Sequence, residues 1–189
     1  MRAETVAFAV RRGSLILDLG SGPGTLSRVV AGAGGDSVLL DASRLMLGAS
    51  GFTNAVQAVF EYLPFREGSF DGAVSGFAVR DAHDLQDALG QLARVLKPGA
   101  RFALADLGKP DNLFFRVVVA MYLRVLPAII GLATTGRAGL GYGSLFDTYV
   151  LVLRNSELAA ILASFIGPTE VHKTQMGGAI VAKCVKSSG

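Results

Sequence analysis

Tryptophan is absent, cysteine occurs once, and charged residues make up only 17% of the chain. The single thiol, Cys184, excludes an intramolecular disulfide, so a cross-linked secreted scaffold is ruled out and cytoplasmic residence is expected. The scarcity of charge is set against 51% hydrophobic residues, the opposite of a disordered composition. The cationic excess is also small: eighteen Lys and Arg against fifteen Asp and Glu give +3, with the basic residues scattered along the sequence. Without a basic stripe, nucleic acid is not an expected partner. The N-terminal MRAETVAFAVRRG has an apolar run too short and too interrupted for a signal peptide. The strongly apolar stretch 113–133 is broken by Arg116, Arg124 and Pro127, which makes it a poor match to a membrane-spanning helix. No Cys/His cluster has metal-ligand spacing, so no metal is expected.

What is there is a chain of 189 residues, an ordinary size for one domain, in which short apolar runs alternate with helical patterns. Residues 4–11 have a short amphipathic helical pattern, and 15–19 form a compact apolar run read as a buried strand ending at Gly20. A helix over 24–33 follows, then a strand over 37–40 ending at Asp41, a short helix over 43–49 and a third strand over 53–59. A fourth strand, 71–77, leads into a polar break at 80–84. Leu85, Ala88, Leu89, Leu92, Val95 and Leu96 then recur at helical spacing, and Lys97-Pro98-Gly99 stops that helix. A fifth strand covers 101–107, a further helix 155–164, and 169–175 with 179–186 reads as a terminal hairpin. Strands alternating with helices imply an α/β fold with a parallel sheet and right-handed crossovers. The whole of 1–189 is expected to be one domain, with 110–150 inserted as a helical cap.

The motif that carries chemistry is LILDLGSGPG at 15–24. A buried strand runs directly into a loop with Gly20, Gly22 and Gly24, where glycines permit tight turning and close approach of a ligand to the backbone. The helix that follows presents free N–H groups and its positive dipole end. Asp41 ends the next strand and is placed to accept hydrogen bonds from both hydroxyls of a ribose. An ordinary strand-to-helix turn with Asp41 as a helix cap is the plainer alternative. The GxGxG spacing has Thr25 where a dinucleotide fingerprint would lead toward its third glycine. Asp18, inside the strand just before the loop, suits a cofactor with an ammonium group and would repel a pyrophosphate. Both features favour S-adenosylmethionine (SAM) over a nicotinamide dinucleotide.

LDLGSGPG at 17–24 resembles the first motif of class I SAM-dependent methyltransferases. EYLPF at 61–65, SFD at 69–71, FAVRD at 77–81, RVLKPG at 94–99 and LGKP at 107–110 are similar to segments of the ubiquinone/menaquinone biosynthesis C-methyltransferases, as are 125–127, 142–145 and 177–180. The resemblance covers about residues 14 to 186. It implies a Rossmann-like α/β fold, a mostly parallel seven-stranded sheet with an antiparallel last strand and helices on both faces. It further implies that Asp18, Gly20, Ser21, Gly22 and Gly24 hold the methionine part of SAM and that Asp41 and Ala42 meet the ribose. Met46 would pack on the adenine, Phe60, Glu61 and Tyr62 would border it, and Ser75, Gly76 and Phe77 would floor the site near the sulfonium. Two departures stand out. Val59 occupies a position where the family usually has an acidic or amide residue for the adenine amino group, and about 14 residues precede the glycine motif where the family has a longer lid.

Carbon methylation needs an electron-rich acceptor, and a quinol ring becomes one when a hydroxyl ionises. Arg80, which matches the family's arginine, is expected to lower the quinol pKa by its charge, and His83 to accept the proton near neutral pH. An ion pair of Arg80 with Asp81 or Asp84, and a solvated loop position for His83, are the structural alternatives. Lys109 is expected to position the cap, Tyr142 and Tyr149 either to reach substrate or to pack, and His172 to lie on the surface. The expected activity is methyl transfer to a small apolar acceptor, a prenylated quinol first. Another small molecule or lipid as acceptor, or a non-catalytic SAM-binding accessory protein, are the alternatives. Peripheral membrane contact and a homodimer are both compatible with the greasy 113–133 segment, which is expected either to border the acceptor pocket or simply to pack in the core.

Overall fold

The computed structural model describes residues 1–135 and 144–188, and the side chains of these except at 126–135 and 144–147. In chain order the elements are α1 (Arg2–Ala9), β1 (Leu15–Leu19), α2 (Thr25–Gly32), β2 (Asp36–Asp41), α3 (Arg44–Ser50), β3 (Ala55–Gln57), β4 (Phe70–Gly76), α4 (Leu85–Val95), β5 (Leu96–Leu107), α5 (Leu113–Thr135), α6 (Ser144–Leu151), α7 (Asn155–Phe165), β6 (Thr169–Thr174) and β7 (Ala179–Val185). The chain forms two compact units: Met1–Asp106 with Ala159–His172 and Val181–Gly189, and Leu107–Leu158 with Lys173–Ile180.

The seven strands form one sheet in the order β3-β2-β1-β4-β5-β7-β6. β1 pairs in parallel with β2 and β4, β2 with β3, and β4 with β5. β7 runs against β5: residues 99 and 100 bond to residue 186, while Gly108 bonds to Gly178, so the numbering climbs in opposite directions. Ile16, Leu17, Leu39, Leu40, Val74, Phe102 and Ala103 are fully buried. Adjacent residues of one strand are buried together because both faces of the parallel sheet are covered, which is why these strands read as apolar runs without alternation. Strand order reverses between β1 and β4, and in such sheets ligands settle in the crevice beyond the carboxyl ends of the strands at that switch.

Two expected boundaries shift. The third strand is only Ala55–Gln57, because Gln57 already pairs with Asp41, the last residue of β2, and an edge strand extends no further than its partner. The fifth strand begins at Leu96, directly after α4. Lys97-Pro98-Gly99 does stop the helix, but Leu96 still pairs with Phe70 and Arg101 with Gly72, so the residues between are a bulge in the ladder. At its other end α4 is capped by Asp84, whose carboxylate accepts from the Gln86 and Asp87 N–H groups. His172 is on the surface as expected, and its Nδ1 lies 2.8 Å from Glu4, which also pairs with Lys183.

In the second unit, α5 starts under Asn112, whose side-chain oxygen accepts from the Phe114 and Phe115 N–H groups. Val119 and Leu123 on α5 pack against Tyr149, a residue of α6, an element the sequence pattern did not predict. Tyr149 therefore packs: it is buried and its hydroxyl donates to the Arg116 carbonyl. Tyr142 lies outside the described residues. Lys109, expected to position the cap, donates its Nζ to the Val150 carbonyl and its N–H to Asn155 Oδ1. Leu113, Phe114, Val117, Met121 and Tyr122 remain exposed. Among the described residues no helix is long and apolar enough to cross a membrane.

Candidate functional site

β1 delivers the chain to the switch point, and the loop after it is shaped by what a side chain would collide with. Gly20 has φ of +70°, and a Cβ there would overlap that of Ala78 and press on the Phe60 ring. Gly22 has φ of +52°, and a Cβ on it would face open space, leaving its backbone accessible to a ligand. The loop is tied to β2 by the Gly20 and Ser21 N–H groups, both donating to the Leu40 carbonyl. Asp41 completes the tie: Oδ2 accepts from Gly22 N at 2.8 Å and Oδ1 from Ser43 N at 2.8 Å. Each of these oxygens keeps a second lone pair for a hydroxyl donor.

Asp18 is fully buried. Its Oδ2 accepts from Ser27 N at 3.0 Å and from the Ser27 hydroxyl at 2.7 Å, which docks the carboxylate on the first turn of α2. Its Oδ1 has no hydrogen-bond partner among the described residues. Burial, opposed by the two Ser27 bonds, pushes its carboxyl up to about 6. A buried carboxylate oxygen with nothing to accept from is costly unless a cationic donor fills the place.

Two cavities meet at Gly20. One, of about 220 Å³, is lined by Asp41, Ala42, Val59, Phe60, Glu61 and His83 among others. The second, of about 310 Å³, is lined by Asp18, Ser21, Gly22, Leu26, Gly76 and Phe77 among others. The first offers an aromatic ring, small apolar side chains and the Asp41 carboxylate, which suits a nucleoside. The second offers the orphaned Asp18 oxygen and loop backbone, which suits an amino acid with a cationic group. The residues present therefore fit SAM, whose ribose Asp41 could hold and whose ammonium Asp18 could hold. Asp41→Ala is expected to weaken S-adenosylhomocysteine binding by about 1–3 kcal/mol, from lost hydrogen bonds to a charged acceptor. Isothermal calorimetry checks this, and an unchanged affinity removes Asp41 from the ribose.

Other expected positions are redistributed. Gly24, Met46, Tyr62 and Ser75 line neither cavity. Gly24 instead faces Leu39 and Phe52 at the start of α2, and the Ser75 hydroxyl donates to the Leu19 carbonyl inside the sheet. Met46 is half exposed on α3 and Tyr62 is 79% exposed. Glu61 lines the first cavity and also braces the loops, since its Oε1 accepts from Asp84 N at 3.1 Å. Phe77 sits directly after β4 in a left-handed conformation, φ +59°, with its N–H donating to the Ala105 carbonyl at 2.7 Å. Such strain in a non-glycine residue gathers at working sites.

Of the two residues expected to handle the acceptor, His83 lines the first cavity with Asp41 and Glu61, and Arg80 lines neither cavity. Arg80 Nη1 lies 2.5 Å from Oδ1 of Asp106, an acid whose side chain is 5% exposed at the end of β5. Asp81 is farther, at 3.7 Å from Nε, and Asp84 is occupied in capping α4. The ion pair with Asp81 considered for Arg80 is thus present, and a shorter pair with a buried carboxylate stands beside it. Asp106 was missed in the sequence, although an acid inside the apolar FALADL run is the same signal that singled out Asp18.

A family model described as a methyltransferase domain matches residues 17–104. Among curated relatives, the ubiquinone/menaquinone biosynthesis C-methyltransferase UbiE of Stutzerimonas stutzeri is 35% identical over 138 residues, 66% of this chain and 54% of that protein. The UbiE of Azotobacter vinelandii is 32% identical over 187 residues, 92% of this chain and 73% of that protein. With most of the first relatives the matched part is about half of their length. Solved structures share the fold: a SAM-dependent methyltransferase from Aquifex aeolicus superposes with a TM-score of 0.62 at 19% identity, covering 97% of this chain and 89% of that one. Phosphoethanolamine N-methyltransferase 2 of Haemonchus contortus, in complex with SAM, gives 0.68 at 16% identity, covering 99% of this chain and 52% of that one. Because the alignment with the Azotobacter protein extends over 187 residues, well beyond the glycine loop shared by many cofactor-binding folds, the chain belongs to the UbiE-type family of class I SAM-dependent methyltransferases.

Proposed function

We propose that the chain transfers the methyl group of SAM to a ring carbon of a small, largely apolar acceptor, with a prenylated quinol as first choice. The observation that carries this reading is the Arg80–Asp106 pair, which holds a guanidinium after β4, near the switch point of the sheet. When bound, SAM supplies a methyl group carried on a positively charged sulfonium. Asp18 binds its ammonium, Asp41 its ribose hydroxyls, and Phe60 borders the base. These contacts fix the donor so that alignment with the acceptor is settled before reaction. Arg80 stabilises negative charge on the acceptor oxygen whose ionisation makes the neighbouring carbon nucleophilic. Asp106 keeps the guanidinium oriented. The UbiE relatives, named for quinone C-methylation, support the same acceptor.

The test is incubation with methyl-labelled SAM and a prenylated quinol lacking one ring methyl, followed by mass spectrometry. Label on a ring carbon is expected. Turnover only on another component of a lipid or metabolite extract would replace the acceptor, and SAM binding without turnover on any component would make the chain a binder.

A further inference from the structure

At the end of the sheet where β1, β4 and β5 begin, opposite the glycine loop, lies a cavity of about 310 Å³ bordered by Arg11, Arg12, Asp71, Lys97 and Arg101. Arg11 and Arg12 are far in sequence from Lys97 and Arg101, and these four of the basic residues that read as scattered are brought to one cavity by the parallel pairing of β1 with β4 and β4 with β5. Asp71 is already committed. Lys97 Nζ donates to its Oδ1 at 2.6 Å and Leu15 N to its Oδ2 at 2.9 Å, which holds the carboxyl below the usual range. The pair leaves Lys97 neutralised. Arg101 spends one nitrogen on the Phe8 carbonyl and lies 5.4 Å over the Phe8 ring, keeping its other donors. Arg11 and Arg12 lie at the rim, and their guanidinium groups have no hydrogen bond or ion pair among the described residues.

The charge balance is as local as the geometry. Four of the eighteen basic residues and one of the fifteen acids border this cavity, so the rest of the chain is formally neutral and the net +3 belongs here. Three arginines without an ion pair among the described residues border one cavity, which calls for an anion of more than one charge. A phosphate group carries about −1.5 to −2 at neutral pH and accepts the planar guanidinium fork two bonds at a time, which a lone carboxylate cannot do for three arginines. β1 separates this cavity from the glycine loop by roughly 15 Å, so one ligand does not occupy both.

We infer that this cavity is a second ligand site, distinct from the cofactor site, that binds a small phosphate-bearing polyanion of which diphosphate is the simplest form. The full chain titrated with sodium pyrophosphate in a calorimeter should show saturable one-to-one binding. Arg11→Gln/Arg12→Gln should weaken it at least about tenfold, from lost charge-assisted hydrogen bonds, with S-adenosylhomocysteine affinity unchanged as the test of folding. Arg12→Lys, which keeps the charge and loses the fork, should fall between the two. The inference is overturned by absence of saturable binding, or by equal binding in the double variant. It is also overturned by retention on vesicles of anionic phospholipid without pyrophosphate binding, which would make the cluster a membrane-facing patch.

Discussion

Asp18→Asn should bind SAM about a hundredfold more weakly and yet unfold at a higher temperature at neutral pH. Both effects come from one atom. Asp18 Oδ1 is buried without a partner, and the carboxyl is pushed from 3.8 to about 6 by burial, with Ser27 offsetting part of it. A folded-state pKa above the unfolded value means that the fold favours the protonated acid. The stability this group lends is complete below about 3.8, is lost as pH rises to about 6, and is absent above that. At pH 7.5 the ionised carboxylate therefore costs the empty protein about 2–3 kcal/mol relative to a neutral group of the same shape, at about 1.4 kcal/mol per unit. Asparagine keeps an oxygen for the Ser27 donors and removes that cost. For a chain of this size each kcal/mol is worth about 2–4 °C, so a scanning calorimeter should record a clear rise at pH 7.5 that closes at pH 4. Cofactor binding moves the other way, because the amide presents an N–H where the ammonium needs an acceptor. The parent should lose SAM affinity about tenfold per pH unit below about 6, where the empty site must first ionise Asp18, and the variant should not. A lower melting temperature for Asp18→Asn at pH 7.5 would mean that docking on α2 outweighs burial. Unchanged SAM affinity would remove Asp18 from the cofactor site.

What could be read from the chain beforehand follows how far each feature reaches. The strand 15–19, the glycine turn and Asp41 are legible because strand, loop and helix are continuous in sequence and the steric demand on Gly20 is local. Asp18 was legible as an acid in an apolar strand, though the orphaned oxygen that gives it meaning depends on where Ser27 turns. Arg80 and Asp106 stand 26 residues apart and meet only because β4 and β5 pair in parallel, with Gly76 beside Ala105. Nothing in either local segment announces that register. The basic cavity is hidden for the same reason, since Arg11 and Arg101 become neighbours only through β4 between them. His83 shares a cavity with Asp41 and Glu61, residues 42 and 22 positions earlier, and that neighbourhood too is set by the fold and not by the local sequence.

The second large effect is expected at the Arg80–Asp106 pair, and there turnover and stability have to be separated. If Arg80 stabilises charge on the acceptor, Arg80→Lys and Asp106→Asn should each lower kcat about 10²–10³-fold, the usual loss when one preorganised charge-stabilising donor is removed or misaimed. The KM for SAM should stay within about twofold, because an interaction made mainly in the transition state is lost without disturbing cofactor binding. Arg80→Ala adds a stability penalty, since it strips the guanidinium from a carboxylate that is only 5% exposed. Breaking a buried pair on one side costs about 3–5 kcal/mol, and here the lower end applies because the Arg80 side chain is 22% exposed. Replacing both partners with apolar groups of similar volume, Arg80→Met with Asp106→Leu, leaves no stranded charge and should recover most of the melting temperature. It should recover none of the turnover. Measured per folded molecule, with S-adenosylhomocysteine affinity as the count of intact sites, the double variant separates the two roles. If turnover returns along with stability, the pair is a strut between β4 and β5 and charge stabilisation must be sought elsewhere in the site. If stability returns alone, Arg80 acts on the acceptor and Asp106 is the residue that aims it.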